Sequence, residues 1–209
     1  NSMTKRNLAI FGAGRHGRVV AEIASLIGWS KIVFFDDRPN HSDKKKLLVC
    51  GNKADFISQS SHFDGCFVAI GNNSDRSEIV KILLSSEAPL VSLIHPSAIV
   101  SQYSEVGAGT VVMAGAIINP FTKVGISSII NTGSTIDHDN VLHDYVHISP
   151  GVNTAGGVTV GKFSWVGIGA SVINSIMIGD NVIIGAGSVV IKDIPDNVTA
   201  LGSPAKIRE

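Results

Sequence analysis

The chain has 209 residues and a mass of 21.9 kDa, which is enough for one large domain or two small ones. Lys plus Arg and Asp plus Glu each number 17, so the formal net charge is zero and no basic excess exists to bind nucleic acid or an anionic membrane. Only 16% of the residues are charged, and the hydrophobic 44% contains few aromatics, a composition that favours sheets and tight turns.

The sequence lacks the features of a membrane or secreted protein. It contains no stretch of about 20 apolar residues, and no charged-then-apolar signal sequence opens it. Its two cysteines, Cys50 and Cys66, are too few for a disulfide scaffold and match no paired metal-ligand spacing, so we interpret them as packing residues. We expect a cytoplasmic protein that neither spans a membrane nor binds nucleic acid.

The first 92 residues carry the pattern of half a nucleotide-binding fold. An apolar strand at residues 7–11 runs into a G-x-G-x-x-G motif at residues 12–17, and helical spacing follows as far as Ile27. Further strands at residues 31–35 and 67–70 and a helix at residues 75–85 complete a βαβαβ unit. Asp36 and Asp37 end the second strand, at the position from which an acid reaches a bound nucleotide in such folds.

A nucleotide is the ligand that this pattern predicts. Phosphate would bind the amide groups at the start of the first helix, where the helix dipole is positive. Because only one βαβαβ half fits before residue 93, we expect a single nucleotide carrying another group rather than NAD. A glycine turn without any ligand is the alternative. The charged segment from Arg38 to Lys46 is interpreted as a solvated loop without chemistry.

A six-residue repeat runs from Ile94 to Val190. Sixteen of the seventeen residues taken in steps of six are aliphatic, Thr154 being the exception, and we call these the ladder residues. The residue four positions after each is small or aliphatic in every case but Asn140. This period is typical of a parallel β-helix whose coils have three sides of six residues, so that residues 18 apart stack. Glycines that directly follow several ladder residues predict tight turns.

Three of the seven histidines fall within ten residues of this repeat, namely His138, His143 and His147. His138 occupies a predicted turn, and Asp139 follows it directly. A histidine with a carboxylate partner is the usual group that deprotonates a nucleophile near neutral pH. We therefore interpret His138 as a general base rather than as an ordinary surface residue.

These motifs, with the ending at residues 202–207, resemble a family of hexapeptide-repeat acetyltransferases, the UDP-amino-sugar N-acetyltransferases and sialic-acid O-acetyltransferases. The matching features cover nearly the whole chain: residues 12–17, Asp36-Asp37, residues 69–73, residues 93–96, Asn131-Thr132, His138-Asp139, and His147 with residues 149–151. The resemblance implies an α/β plus all-β protein. A small Rossmann-like βαβαβ domain would occupy residues 1–92 and a left-handed parallel β-helix residues 93–209. It also implies a homotrimer.

The resemblance further implies a role for each matching residue. His138 would be the general base, Asp139 would raise its basicity and orient it, and Asn131 would lie near the reacting amine. The co-substrate acetyl-CoA would bind between adjacent β-helices at His147, Gly156 and Ile168. The UDP-sugar would bind at Gly14, Arg15, His16, Asp36, Asp37 and Gly71. The chain departs from some relatives at Asp139, where they have Glu, and at Arg15, where they have a small residue.

The reaction so implied is direct transfer of the acetyl group of acetyl-CoA to the amine of a UDP-linked 4-amino-4,6-dideoxy sugar, for bacterial surface glycan synthesis, without a metal. A backbone amide, for example at Gly156, would stabilise the oxyanion. O-acetylation of sialic acid is the alternative within the family. A metal hydratase resembling the γ-class carbonic anhydrases is another, because His138 and His143 have the spacing of two zinc ligands, although Gln102 stands where the third would be. A non-catalytic sugar-nucleotide-binding scaffold is the last.

Overall fold

The computed structural model describes residues 6–38 and 47–208. They form two compact units that divide between Pro96 and Ser97. Within these residues, no helix has the length and apolar character needed to cross a membrane. Of the predicted loop from Arg38 to Lys46, only Arg38 belongs to the described residues. The cytoplasmic location stays a prediction.

The first unit is built on three parallel strands in the order β2-β1-β3. The strands are β1 (Arg6–Phe11), β2 (Trp29–Phe35) and β3 (Gly65–Val68), the helices are α1 (Arg15–Leu26), α2 (Lys53–Gln59) and α3 (Asn73–Ser85), and a 3-10 turn spans Ser60–His62. Leu8, Ile10 and Phe35 are fully buried in its core. The predicted βαβαβ unit is confirmed. It contains one unpredicted helix, α2, which begins where the side chain of Asn52 accepts a hydrogen bond from the Asp55 amide.

The unit ends with the two-residue strand β4 (Leu93–Ile94), and a parallel β-helix forms the second unit. Its first side consists of β7 (Val111–Val112), β10 (Ile129–Ile130), β13 (His147–Ile148), β16 (Trp165–Val166), β19 (Ile183–Ile184) and β21 (Thr199–Gly202). Its second side consists of β5 (Ile99–Val100), β8 (Ile117–Ile118), β11 (Thr135–Ile136), β14 (Asn153–Thr154), β17 (Ser171–Val172) and β20 (Val189–Val190). Its third side consists of β6 (Glu105–Val106), β9 (Lys123–Val124), β12 (Val141–Leu142), β15 (Thr159–Val160) and β18 (Met177–Ile178). The last strand, β22 (Ala205–Ile207), pairs antiparallel with β21.

Residues 18 apart pair along each side, as the repeat predicts. Ile130 pairs with Ile148, and Leu142 pairs with Val160. The ladder residues from Val112 to Val190 are all buried, and the one polar member, Thr154, is buried with them. The six-residue period therefore produces a continuous apolar core inside the coil, and the predicted β-helix is confirmed.

Two sets of glycines lie at the corners of the coil, and each set is required for a different reason. For the ladder residues from Val106 to Ile184, the residue three positions later adopts a positive φ, both at glycines such as Gly133 and at Asp139, whose φ is 56°. The glycines that directly follow ladder residues do not. They are needed because the next coil approaches closely: a Cβ on Gly125 would stand 2.6 Å from the amide nitrogen of Asp144.

Candidate functional site

His138 lies at the corner between the second and third sides of the β-helix, two residues after β11 ends. Its Nδ1 is 2.7 Å from Oδ2 of Asp139, and both side chains are about 60% exposed, at 59% and 62%. The hydrogen bond that His138 donates to Asp139, together with the negative charge of Asp137, raises the pKa of His138 above its usual value. The predicted pairing of histidine and carboxylate is therefore present, and the raised pKa means that the imidazole is more basic than an ordinary histidine.

The imidazole of His138 lies against Gly156, which occupies the same corner one coil later. A Cβ at Gly156 would stand 2.5 Å from Cε1 of His138 and 2.7 Å from Nε2, so only glycine leaves room for the ring. Within the described part of the chain, the amide N–H of Gly156 makes no hydrogen bond. The structure thus brings Gly156 to the predicted base, although the resemblance implies that it binds acetyl-CoA together with His147 and Ile168.

Buried amide groups hold the corner that carries His138. The side-chain amide of Asn140 donates to the carbonyl oxygens of Asp137, His138 and Ala155 at 2.9, 3.2 and 2.9 Å. Oδ1 of Asp137 accepts hydrogen bonds from the Asn119 side chain and from the backbone N–H of His138, both at 2.8 Å. Sequence reasoning missed these residues as part of the site. The signal for one of them was visible, because Asn140 is the exception in its row of the repeat.

A mostly apolar cavity of about 430 Å³ lies on the first side, around β13, β16 and β19. Trp165, Ile168 and Ile183 form apolar walls, and Asn131 and His147 contribute polar groups. Three residues predicted for the site, Asn131, His147 and Ile168, therefore share one cavity. An apolar cleft with a few polar groups is the usual form of a small-molecule site.

Trp165 orders the polar end of this cavity. Its ring stacks on that of His147 with centroids 5.2 Å apart and planes 1° from parallel, and its indole N–H donates to Oγ of Ser149 at 2.7 Å. Nδ2 of Asn131 lies 3.3 Å from Nε2 of His147. Because an amide nitrogen only donates, Nε2 of His147 accepts this hydrogen bond. Sequence reasoning missed Trp165, although it follows His147 by one 18-residue coil.

The three neighbouring histidines of the sequence do not form a cluster in space. His138 follows a strand of the second side, His143 follows a strand of the third, and His147 belongs to the first. The cavity around His147 is not lined by His138. Across residues 6–38 and 47–208, no group of three or more His, Cys, Asp or Glu side chains is arranged to hold a metal ion.

In the first unit, Gly14, Arg15, His16 and Gly71 line one cavity of about 500 Å³, together with Arg18 and Arg38. Burial, and then the positive charge of Arg76, lowers the pKa of His16 to about 4, so this imidazole is neutral at physiological pH. The buried guanidinium of Arg76 donates to the carbonyls of Ile70 and Gly71 at 2.9 and 3.2 Å and so fixes the loop after β3.

Asp36 and Asp37 line a neighbouring cavity of about 430 Å³, which also includes Arg38 and Lys53. The carboxylate of Asp36 accepts hydrogen bonds from the Ala13 amide and from the backbone and guanidinium of Arg38. Burial alone would raise the pKa of Asp36, but these hydrogen bonds outweigh it and lower the pKa. Asp37 is exposed and accepts the backbone N–H of Lys53 at 2.7 Å.

Known proteins share this architecture. Residues 7–83 match the PglD N-terminal domain family. The acetyltransferase domain of PglB from Neisseria gonorrhoeae, solved in complex with acetyl coenzyme A, is 39% identical with a TM-score of 0.93, covering 98% of this chain and 100% of that one. Perosamine N-acetyltransferase from Caulobacter crescentus, solved with CoA and GDP-perosamine, is 36% identical with a TM-score of 0.90, and all of both chains is covered.

The chain belongs to the hexapeptide-repeat sugar N-acetyltransferases. Within this family, it is also 43% identical over 112 residues to UDP-N-acetylbacillosamine N-acetyltransferase of Bacillus subtilis. That alignment spans 52% of each protein, so the chain matches about half the length of this curated relative. The family resemblance inferred from the motifs is confirmed.

Proposed function

We propose that this protein transfers the acetyl group of acetyl-CoA to the amino group of a UDP-linked 4-amino-4,6-dideoxy sugar, with His138 as the general base. The observation that carries the proposal is the pair of His138 and Asp139. When Nδ1–H of the neutral ring is donated to the carboxylate, Nε2 keeps a lone pair that can accept a proton. Relatives named for N-acetylation of perosamine and of UDP-N-acetylbacillosamine support an amine as the acceptor.

The chemistry is one acyl transfer. The amine nitrogen forms a bond to the thioester carbonyl carbon, the carbon–sulfur bond breaks, and the amine proton passes to Nε2 of His138 and then to the departing CoA thiolate. Negative charge develops on the carbonyl oxygen during attack. Gly156 lies against the imidazole, and its amide N–H, which makes no hydrogen bond among residues 6–38 and 47–208, is the donor that we assign to that charge.

The two substrates are assigned to the cavities of the two units. The cavity around Gly14 carries three arginine side chains, which suits the phosphates of a sugar nucleotide. The cavity around His147 and Trp165 suits the pantetheine arm of acetyl-CoA, because it combines apolar walls with a few amide and imidazole groups. A UDP-linked acceptor is proposed rather than a GDP-linked one, and both belong in the tests.

We further propose that the active site is completed between two copies of the chain in a homotrimer. In one β-helix, His138 stands at the corner between the second and third sides, whereas the cavity lined by His147 lies on the first side. A general base must come within hydrogen-bond distance of the amine that attacks the thioester. A second β-helix packed beside the first brings the two groups together, as closed symmetry allows.

The central test is turnover by the variant His138→Ala with acetyl-CoA and a panel of UDP- and GDP-linked amino sugars and free sialic acid. We expect wild-type activity on an amino sugar, and a fall in kcat of about 10²- to 10⁴-fold in the variant with little change in either KM. Near-normal turnover by the variant would return His138 to an ordinary corner residue. If sialic acid were the one compound turned over, the acceptor would be a hydroxyl group rather than the proposed amine.

The shared site is tested by mixing two variants, His138→Ala and His147→Ala, after reversible dissociation, at an acetyl-CoA concentration at which neither variant alone shows measurable turnover. If each site takes its base from one copy and its acetyl-CoA cavity from another, random assembly restores about one quarter of the wild-type activity. If both groups act within one chain, the mixture stays inactive. Light scattering on the wild type supplies the control, since an active monomer would contradict the trimer.

A further inference from the structure

We propose that Arg38 binds the diphosphate of the nucleotide substrate, and that Asp36 is a positioning residue that acts through Arg38 without touching the ligand. The inference deepens the proposed function, on which it rests for the class of ligand, a nucleoside diphosphate. It changes the role that the sequence predicts for Asp36, which in related folds accepts a hydrogen bond from the ribose.

The carboxylate of Asp36 has no acceptor capacity left for a ligand. Oδ1 accepts the backbone N–H of Arg38 at 2.9 Å and its Nε–H at 3.1 Å, and Oδ2 accepts the Ala13 N–H at 2.9 Å and Nη2–H of Arg38 at 3.2 Å. A carboxylate offers about four lone-pair sites, and four donors occupy them. The side chain is also only 5% exposed.

The two hydrogen bonds from Nε and Nη2 to the carboxylate of Asp36, which we call the fork, fix the guanidinium of Arg38. The edge that carries Nη1 stays available to a ligand. Nε and Nη2 face Asp36, and Nη1 makes no hydrogen bond among the described residues. The side chain remains 59% exposed. Its Nη2 is 3.6 Å from the place where a Cβ on Gly14 would stand, so the guanidinium lies beside the glycine motif. An arginine held in this way loses little conformational entropy when it binds a phosphate.

The two cavities next to Arg38 differ in the charges of the side chains that line them. The charged side chains of the cavity around Gly14 are Arg15, Arg18 and Arg38, all positive. The adjoining cavity includes three further acids, Asp37, Asp75 and Glu78, beside Lys53. Arg38 lines both cavities. A diphosphate is therefore favoured on the arginine side, and the hydroxyl and N–H donors of a nucleoside are favoured on the acidic side.

Asp37 fits the nucleoside side. Its Oδ1 accepts the backbone N–H of Lys53, which leaves the second oxygen of an exposed carboxylate for a hydroxyl donor. The two adjacent acids thus have different roles: Asp36 holds Arg38 in place, and Asp37 binds the ligand.

The test is calorimetric binding of UDP, GDP, uridine and guanosine to the full chain, without acetyl-CoA. The variants are Arg38→Gln, Arg38→Lys, Asp36→Asn and the double variant Asp36→Asn with Arg38→Gln. Lys31→Gln, which removes an exposed positive charge from β2 outside both cavities, is the matched control. Thermal unfolding of each variant verifies that it is folded.

We expect Arg38→Gln to raise the Kd of the nucleoside diphosphate about 10- to 100-fold, as loss of a charged hydrogen bond requires, and to leave the Kd of the nucleoside nearly unchanged. Arg38→Lys should fall between, and Lys31→Gln should bind like the wild type. Asp36→Asn should weaken binding of the diphosphate. In the Arg38→Gln background it should raise the Kd no further, because either change removes the same interaction.

Three outcomes with the variants overturn the inference. Wild-type affinity of Arg38→Gln for the diphosphate would remove Arg38 from the site. Equal weakening of nucleoside and diphosphate would assign Arg38 to the base or ribose. An additive loss in the double variant would mean that Asp36 acts on the ligand other than through Arg38, either by direct contact or through its hydrogen bond to the Ala13 amide. Failure of the proposed function is separate: the variants can behave as expected while the wild type transfers no acetyl group, and a wild type that binds neither nucleotide refutes both.

Discussion

The imidazole of His138 covers the Cα of Gly156, the residue that stacks on it from the next coil. The space that a Cβ would need at Gly156 is taken by Cε1 and Nε2 of the ring. The backbone conformation does not require glycine at this position, since Gly156 has no positive φ. Glycine is therefore present for the sake of the histidine, and the backbone of one coil sets the place of the side chain on another.

This packing predicts that Gly156→Ala lowers kcat about 10- to 100-fold, because the methyl group displaces the base from the reacting amine. The KM values should change little, and steady-state kinetics measures both. The informative control is the double variant with His138→Ala. Once the ring is absent, the added methyl group should cost no further activity, and an additional loss there would show that Gly156 matters for some other reason.

Asp139→Asn should move the pH dependence of the reaction. A raised pKa keeps His138 protonated, and so unable to accept a proton, up to a higher pH than an ordinary histidine. The wild-type rate should therefore rise with pH through a value above about 6.5, and removal of the carboxylate should shift that rise to lower pH. The kcat of Asp139→Asn should fall less than that of His138→Ala.

Titration of the His138 Cε1–H signal by NMR checks this shift without interference from the acceptor amine. Glu105→Gln, which removes an exposed carboxylate from another coil, is the control and should leave the His138 titration unchanged. A titration curve that is the same in Asp139→Asn and wild type would contradict the assigned partner.

Asn140→Ala should loosen the corner that carries the base. It removes a buried amide that serves the carbonyl oxygens of Asp137, His138 and Ala155, so the unfolding free energy should fall by about 1–3 kcal/mol. Turnover should fall as well, with KM nearly constant. Ser164→Ala is the matched control, because Ser164 is buried at the same position of the repeat in another coil. It should lose stability but keep kcat, and a similar loss of kcat in both variants would remove Asn140 from the site.

Trp165→Leu should weaken acetyl-CoA binding without affecting the sugar nucleotide. The indole is 46% exposed, lines the cavity and stacks on His147, so its loss removes both surface and support. We expect the KM for acetyl-CoA to rise about tenfold. Fluorescence provides a second measurement: CoA should change the wild-type tryptophan emission, and the response should vanish in the variant, where the buried Trp29 is the only indole left.

The sequence predicted the elements whose periodicity is strong. The ladder from Val112 to Val190 is governed by burial alone, and a six-residue period translates directly into three sides and an 18-residue register. The strands and helices around the glycine motif were predictable because their apolar residues follow the usual periods. Helix α2 was not, because its start depends on the capping pair of Asn52 and Asp55.

The site was predictable only in part, because the missing contacts join residues distant in the chain. The pairing of His138 with Asp139 is local and was visible. The fork between Arg38 and Asp36 depends on backbone conformation after β2, and the stacking of Trp165 on His147 depends on the register of two coils. The grouping of three histidines misled in one respect, because neighbours along a coil point to different sides of it.

The 18-residue register also determines which changes of length the second unit can absorb. Removing or adding one complete coil leaves every remaining ladder residue above another ladder residue, and only one stacking interface is gained or lost. A single-residue deletion within a side would instead turn the apolar ladder of all later coils toward solvent. Insertions and deletions in this chain should therefore be tolerated in steps of a whole coil, or as loops extruded at a corner, and the length of the β-helix can vary while the site near its middle stays intact.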